Sequence, residues 1–309
     1  MERKFEILIR NSTIGIVIFG SCLWGLYWLP IKIIESLGLV GTAAGFSLSA
    51  GAFPFLLVWF LFSAFTKPKF SISYMAIVGG LMAGLGVGMW GASLAFTDVV
   101  RAILLFYLMP VWSITIECIF MGRKLNLRSA AAIAASLFGI VLICRGEVPL
   151  EGLGALGDWM ALVAGIFWAG GAATLFKAKK PELSLVAIST ITGALISGGV
   201  GVLILSNTQT EILTLVNGLS ALGLGLIYFI PLLCITLWGV TQLPPAMASF
   251  VLTFEVVVGV VTSAMFLDQP FGWFEIGGAT FIITGAMLEV LSAQRQVQNQ
   301  AQKQQDIEA

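Results

Sequence analysis

Apolar residues fall into ten runs of about 20, separated by short polar links: 13–33, 40–65, 74–95, 99–121, 128–145, 154–176, 184–206, 216–238, 245–267 and 273–293. A helix needs about 20 such residues to cross ~30 Å of hydrocarbon. Strands of a membrane barrel alternate in hydropathy over roughly 10 residues, a different pattern. A helix also satisfies its own backbone groups where no water can. The pattern predicts an all-α integral membrane protein of ten transmembrane helices. The links leave no room for an extramembrane domain. The segment from 294 is rich in Gln and reads as a flexible cytoplasmic tail. The first run passes through Cys22-Leu23-Trp24-Gly25-Leu26-Tyr27-Trp28 without an A-x-A-like cleavage site. It reads as a first span, not a removed signal peptide.

Basic residues set the expected orientation, because loops rich in Lys and Arg stay inside. With the N-terminus inside, Arg3, Lys4, Arg10, Lys67, Lys69, Arg123, Lys124, Arg128, Lys177, Lys179, Lys180, Arg295 and Lys303 all face the cytoplasm, which is 13 of the 16. Only Lys32, Arg101 and Arg145 fall elsewhere. Both termini are therefore expected inside.

The chain is one unit written twice. Leu23-Trp24-Gly25 through Lys32 resembles Phe167-Trp168-Ala169 through Lys177. An offset of 146 pairs Gly139 with Gly285, Met109 with Glu255 and Pro110 with Val256. The expected division is 1–150 for the first five-helix repeat, 151–293 for the second, and 294–309 for the tail. Five spans per unit is odd, so the two repeats must be inverted. Inverted repeats recur in transporters, with a site near the bilayer midplane.

Composition narrows the chemistry. Hydrophobic residues make up 58% and charged residues 10%, against about 25% charged in a soluble domain. The formal net charge is zero, so no basic footprint for nucleic acid exists. Histidine is absent, which removes the usual metal ligand and neutral-pH proton carrier. Cys22, Cys118, Cys144 and Cys234 stand singly, without metal-ligand spacing. Gly84-x-Gly86-x-Gly88 lacks the strand–turn–helix setting of a nucleotide fingerprint. With Gly80 it reads as a helix-packing face of small residues. Gly223, Gly225 and Gly277-Gly278 read as similar seams. No cofactor, metal or catalytic constellation is expected.

A few residues can carry function. Glu255 is the one charge in its span, and such acids usually face a cavity or a partner. It can bind an ammonium group, exchange a proton or hold a cation. Pro110 breaks a backbone hydrogen bond and bends span four. Arg101 can bind a carboxylate, or it caps the outer helix end beside Asp98. Glu117, one turn from the cytoplasmic end, is expected to snorkel. Lys32 and Glu35 are expected to form an interfacial pair. Trp24, Tyr27, Trp28, Trp90, Tyr107, Trp112, Trp168 and Tyr228 are candidates to line a substrate cavity. Trp59, Trp159 and Trp273 read as interfacial belt residues.

These residues resemble the drug/metabolite transporter superfamily, in its EamA branch. The most specific match is Arg101-Ala102 through Leu105, then Tyr107-Leu108-Met109-Pro110-Val111-Trp112. Trp24-Gly25 with Lys32, Gly157-Asp158 with Trp168, and Phe254-Glu255-Val256 also fit. Two features depart from the family: its usual Gly-Glu is Gly122-Arg123 at the end of span four and Asp268-Gln269 at the end of span nine, and Val256 stands for Pro. The resemblance implies a secondary transporter in a bacterial inner membrane, working by alternating access, with spans 1, 3, 4, 6, 8 and 9 around a central cavity. It implies a small-molecule substrate, an amino acid or related metabolite, commonly exported. Uptake of a quaternary ammonium compound such as choline is the alternative. A coupling proton or other ion, and a monomer or homodimer, are compatible with either.

Overall fold

The computed structural model describes residues 2–94, 96–97, 99–143, 154–205, 214–266 and 272–308; for 2–11, 99–101, 104, 204–205 and 294–308 it describes the backbone alone. The chain forms helices α1 (Glu2–Gly25), α2 (Trp28–Ser36), α3 (Thr42–Thr66), α4 (Tyr74–Ser93), α5 (Val99–Phe106), α6 (Met109–Phe120) and α7 (Leu127–Ile143). The second half forms α8 (Leu156–Lys177), α9 (Leu183–Leu205) and α10 (Leu215–Leu224). A single π-turn (Gly225–Phe229) follows, then α11 (Ile230–Gln242), α12 (Pro245–Leu252), α13 (Phe254–Phe266) and α14 (Trp273–Glu308). Taking α1–α2, α10–α11 and α12–α13 each as one, eight helical stretches among the described residues are long and apolar enough to cross a membrane. Two more apolar helices, Met109–Phe120 and Leu127–Ile143, are shorter. α14 continues to Glu308, beyond the end of the apolar run, so the tail extends the last helix.

Local chemistry fixes several helix ends. Ser73 caps α4 by accepting the Ala76 N–H at 3.3 Å, and Thr214 caps α10 through the Asn217 N–H at 3.2 Å. Asp158, in the first turn of α8, accepts the N–H groups of Gly154 and Ala155 at 3.0 and 3.2 Å and the hydroxyl of Thr97. After α6 the chain reverses at Gly122, whose φ of +68° suits a residue without Cβ.

Packing runs between the halves. α4 lies between α8 and α9, and α7 lies on α14. A Cβ built on Gly80 would lie 2.9 Å from the Val186 carbonyl, and one on Gly84 would overlap the Thr190 carbonyl. On the other side of α4, a Cβ at Gly86 would lie 2.8 Å from the Ala164 carbonyl. Gly139 and Gly278 are placed backbone to backbone between α7 and α14, and Gly225 against Ala52. Small residues allow such close approach. Gly223 has nothing within 4 Å and Gly277 meets only Leu142 at 3.8 Å, so these two carry no seam.

Candidate functional site

Among the described residues, four helical stretches are interrupted: at Leu26-Tyr27, at Tyr107-Leu108, in the π-turn Gly225–Phe229 and at Thr253. Three have a proline just beyond the break: Pro30 in α2, Pro110 as second residue of α6, and Pro231 as second residue of α11. Proline supplies no N–H, so the carbonyl four residues earlier loses its donor. The Thr253 break has no such proline. There the Thr253 hydroxyl donates back to the Phe250 carbonyl at 2.6 Å, a bond that competes with the helix ladder.

Carbonyls beside two of these breaks accept side-chain hydroxyls, since backbone groups need partners in a low-dielectric interior. Tyr228 donates its hydroxyl to the Leu23 carbonyl at 2.5 Å. Ser21 donates to the Leu252 carbonyl at 2.9 Å. The Phe106 carbonyl, which Pro110 leaves without a donor, lies against Gly165 of α8, 2.8 Å from where a Cβ would stand.

Two of the breaks meet. Tyr107, buried beyond the end of α5, donates its hydroxyl to Oε1 of Glu255, which is half-buried in the first turn of α13. A helix N-terminus favours a carboxylate at that position. On one side of this contact α6 packs along α12, joined by Ser113 Oγ and Ser249 Oγ at 2.6 Å. All eight residues of α12 are buried. On the other side α5 packs on α8, and α13 packs on α1 and α14. Among the 13 residues of α13 only Val257 is buried. The paired helices are thus packed tightly on one side of Tyr107–Glu255 and rest on separate neighbours on the other.

The aromatic candidates divide by what their polar atoms do. Trp24 donates to Thr236 at 2.9 Å, Trp28 to Thr262 at 3.1 Å, and Tyr228 braces the Leu23 carbonyl. These three hold helices together. The buried indole N–H groups of Trp90, Trp112 and Trp168 have no hydrogen-bond partner among the described residues. Buried polar groups are normally satisfied, so such donors call for an explanation. Tyr27 stands at the first break with its ring 5.3 Å from Trp24 and 5.9 Å from Phe229, and Trp24 lies 6.3 Å from Phe229. Trp90 lies 5.5 Å from Phe106, which lies 5.5 Å from Tyr107 edge-on. The side chain of Arg101 lies outside the described residues, as does Asp98.

A second polar cluster surrounds Arg123. Glu117 does not snorkel: its side chain is 5% exposed. Its Oε2 accepts Arg123 Nη1 at 2.5 Å, and its Oε1 accepts the Ala246 N–H of α12 at 2.8 Å. Arg123 Nη2 reaches Glu289 Oε1 of α14 at 2.6 Å and Ser129 Oγ at 2.6 Å. Ser129 Oγ donates to Glu289 Oε2 at 2.9 Å. Asn126 continues the network to Ser292 at 2.9 Å. The turn at Gly122 folds Arg123 back beneath α6, which brings it under Glu117. Elsewhere, Lys32 and Glu35 form the expected exposed pair at 3.0 Å. Trp159 and Trp273 are exposed, while Trp59 packs against the core.

Comparison with known proteins bears on this arrangement. The EamA-like transporter family matches residues 11–145 and again residues 155–291. The uncharacterized transporter YoaV of Bacillus subtilis (strain 168) is 25% identical over 295 residues, covering 88% of this chain and 92% of YoaV. A protein of known crystal structure shares the fold, with a TM-score of 0.70 at 16% identity over 92% of this chain and 98% of that one. The family match falls once on the half that contributes Tyr107 and once on the half that contributes Glu255, and the chain is a multi-pass membrane protein belonging to the EamA-like transporter family.

Proposed function

We propose that the chain is a secondary transporter that moves a small polar metabolite, an amino acid or a related compound, outward across a bacterial inner membrane by alternating access. In this reading α5 with α6 forms the fourth of ten spans and α7 the fifth. Residues 1–150 and 151–293 are inverted repeats, and both termini are cytoplasmic. The observation that carries the reading is the hydrogen bond from Tyr107 to Glu255, which joins two helix breaks, one within each of the two family matches. Broken helices near mid-depth are where transporters place substrate and coupling ions. Glu255 then takes a substrate ammonium or exchanges a proton, and the free indole donors of Trp90, Trp112 and Trp168 offer sites for substrate acceptor atoms.

The test is a thermal-shift screen of purified protein against amino acids, amines and nucleosides, since ligands that bind the folded state raise its stability. Hits are then assayed in proteoliposomes with Glu255→Gln. Uptake and its pH dependence unchanged by that substitution would defeat the role of Glu255.

The trio Trp24, Tyr27 and Phe229, with centroids 5.3 to 6.3 Å apart, supports a second reading: uptake of a quaternary ammonium compound held by aromatic faces and Glu255. Arg101→Gln separates the two. It abolishes transport of a carboxylate-bearing substrate and spares a choline-like one.

A further inference from the structure

We propose that Arg123 is a gating residue: with Glu117 and Glu289 it latches one end of the transport path shut, and the path opens at that end only when this cluster comes apart. The inference rests on the alternating-access reading above and adds the residues that hold one of its states.

Three observations support it. First, the cluster joins the two halves of the chain. Glu117, Arg123 and Ser129 come from the first family match, Ala246 and Glu289 from the second. Second, its acceptors are all satisfied, although the buried Nε of Arg123 has no partner among the described residues. Each of the four carboxylate oxygens of Glu117 and Glu289 has a donor: Arg123 Nη1, the Ala246 N–H, Arg123 Nη2 and Ser129 Oγ. The side chains are 8% exposed for Arg123, 5% for Glu117 and 0% for Glu289. Two carboxylates against one guanidinium leave an excess negative charge, which the N-terminus of α12 faces through Ala246. Third, it lies at the packed end of the α6–α12 pair. From Tyr107–Glu255 outward come Met109 and Phe250, 1% and 0% exposed, then Ser113 with Ser249, then Glu117 with Ala246. Opening at this end would require that column to separate, with α6 moving from α12.

A buried ion cluster suits a two-state device. Removing one member leaves the others charged and uncompensated, so the closed arrangement fails abruptly. Arg123 is the hinge of this balance, because it alone is cationic and both acids depend on it. Its planar fork is what reaches two carboxylates and a hydroxyl at once.

The experiment needs no substrate. Ser249→Cys is introduced after replacement of Cys22, Cys118, Cys144 and Cys234, and a membrane-impermeant thiol reagent is applied to each face of sided vesicles. With Arg123 present, the cysteine is protected from the face that carries Lys67 and Lys177. With Arg123→Gln, labelling from that face rises by about tenfold or more, as expected when one partner of a buried ion cluster is lost. Arg123→Lys, which keeps the charge but not the fork, gives an intermediate rate and serves where the Gln variant fails to fold. Labelling at the unsubstituted rate in a folded Arg123→Gln or Arg123→Lys protein overturns the proposal, and so does an equal rise from both faces. Failure to find a transported substrate would count against the transport reading and leave this measurement unaffected.

Discussion

Tyr107 and Glu255 lie 148 positions apart in sequence, and the phenol of one donates to the carboxylate of the other. Neither is in the body of a regular helix: Tyr107 follows the end of α5, and Glu255 is the second residue of α13. The contact therefore joins two places where the backbone is already interrupted, and its loss is expected to act on both halves.

Tyr107→Phe removes that donor and leaves a carboxylate oxygen without it. Side-chain hydrogen bonds between membrane helices contribute about 0.6 kcal/mol on average and up to ~1.7. The expected outcome is a modest fall in the melting temperature of the detergent-purified protein and a large fall in transport. A transport rate matching the unsubstituted protein would remove Tyr107 from the mechanism.

The tryptophans are expected to respond in two ways. Trp24→Phe breaks the bond to Thr236 and loses roughly 1 kcal/mol, the usual net value of one such bond. Trp168→Phe removes an N–H that has no partner among the described residues, so the apo protein is expected to keep its melting temperature. What Trp168→Phe changes is the stabilisation by an added ligand, measured as the shift in melting temperature at saturation.

Gly84→Ala and Gly223→Ala form a matched pair. The first forces a methyl group into the Thr190 backbone of α9, the second enters open space. Overpacking costs typically about 1–3 kcal/mol, whereas Gly to Ala in a free helix position gains roughly 0.5–1 kcal/mol. Melting curves should move in opposite directions. A Gly84→Ala protein as stable as the parent would show that α4 and α9 can part without penalty.

Gly165→Ala tests the break at Tyr107 from behind. The new methyl group would lie 2.8 Å from the Phe106 carbonyl, which is backbone and has little room to yield. Transport is expected to fall more than stability, because the displaced carbonyl lies one residue from Tyr107. A proteoliposome assay alongside a melt separates the two effects.

Much of the architecture can be read from hydropathy alone, because an apolar run of about 20 residues has few other uses. Pro110 and Glu255 announce two of the breaks, one through a missing donor and one through a lone charge. The others are harder to read. Pro30 and Pro231 stand beyond their breaks, whereas Pro54 lies inside an α3 that stays whole, so proline alone does not decide. At Thr253 the interruption depends on hydroxyls from that residue and from Ser21, which is 231 positions from the carbonyl it serves. Glu117 reads as a snorkelling acid because its partners are remote: Arg123 returns only through the turn at Gly122, and Glu289 comes 166 positions after Arg123. The glycine at the turn was the available signal, since it marks a reversal that folds the next residue back under its own helix. Glycine spacing shows that a seam exists. Which face meets α8 and which meets α9 depends on the placement of helices from the other half.

The seams of α4 also bear on how the protein is made. Its two close partners, α8 and α9, and α14, the partner of α7, are synthesised only after the first half has entered the membrane. Until then the glycine grooves of α4 face lipid with nothing to fill them. The first half therefore waits in the bilayer as loosely held helices, and close packing is achieved when the second half arrives. Two genes each carrying one half would then make a working protein only when expressed together.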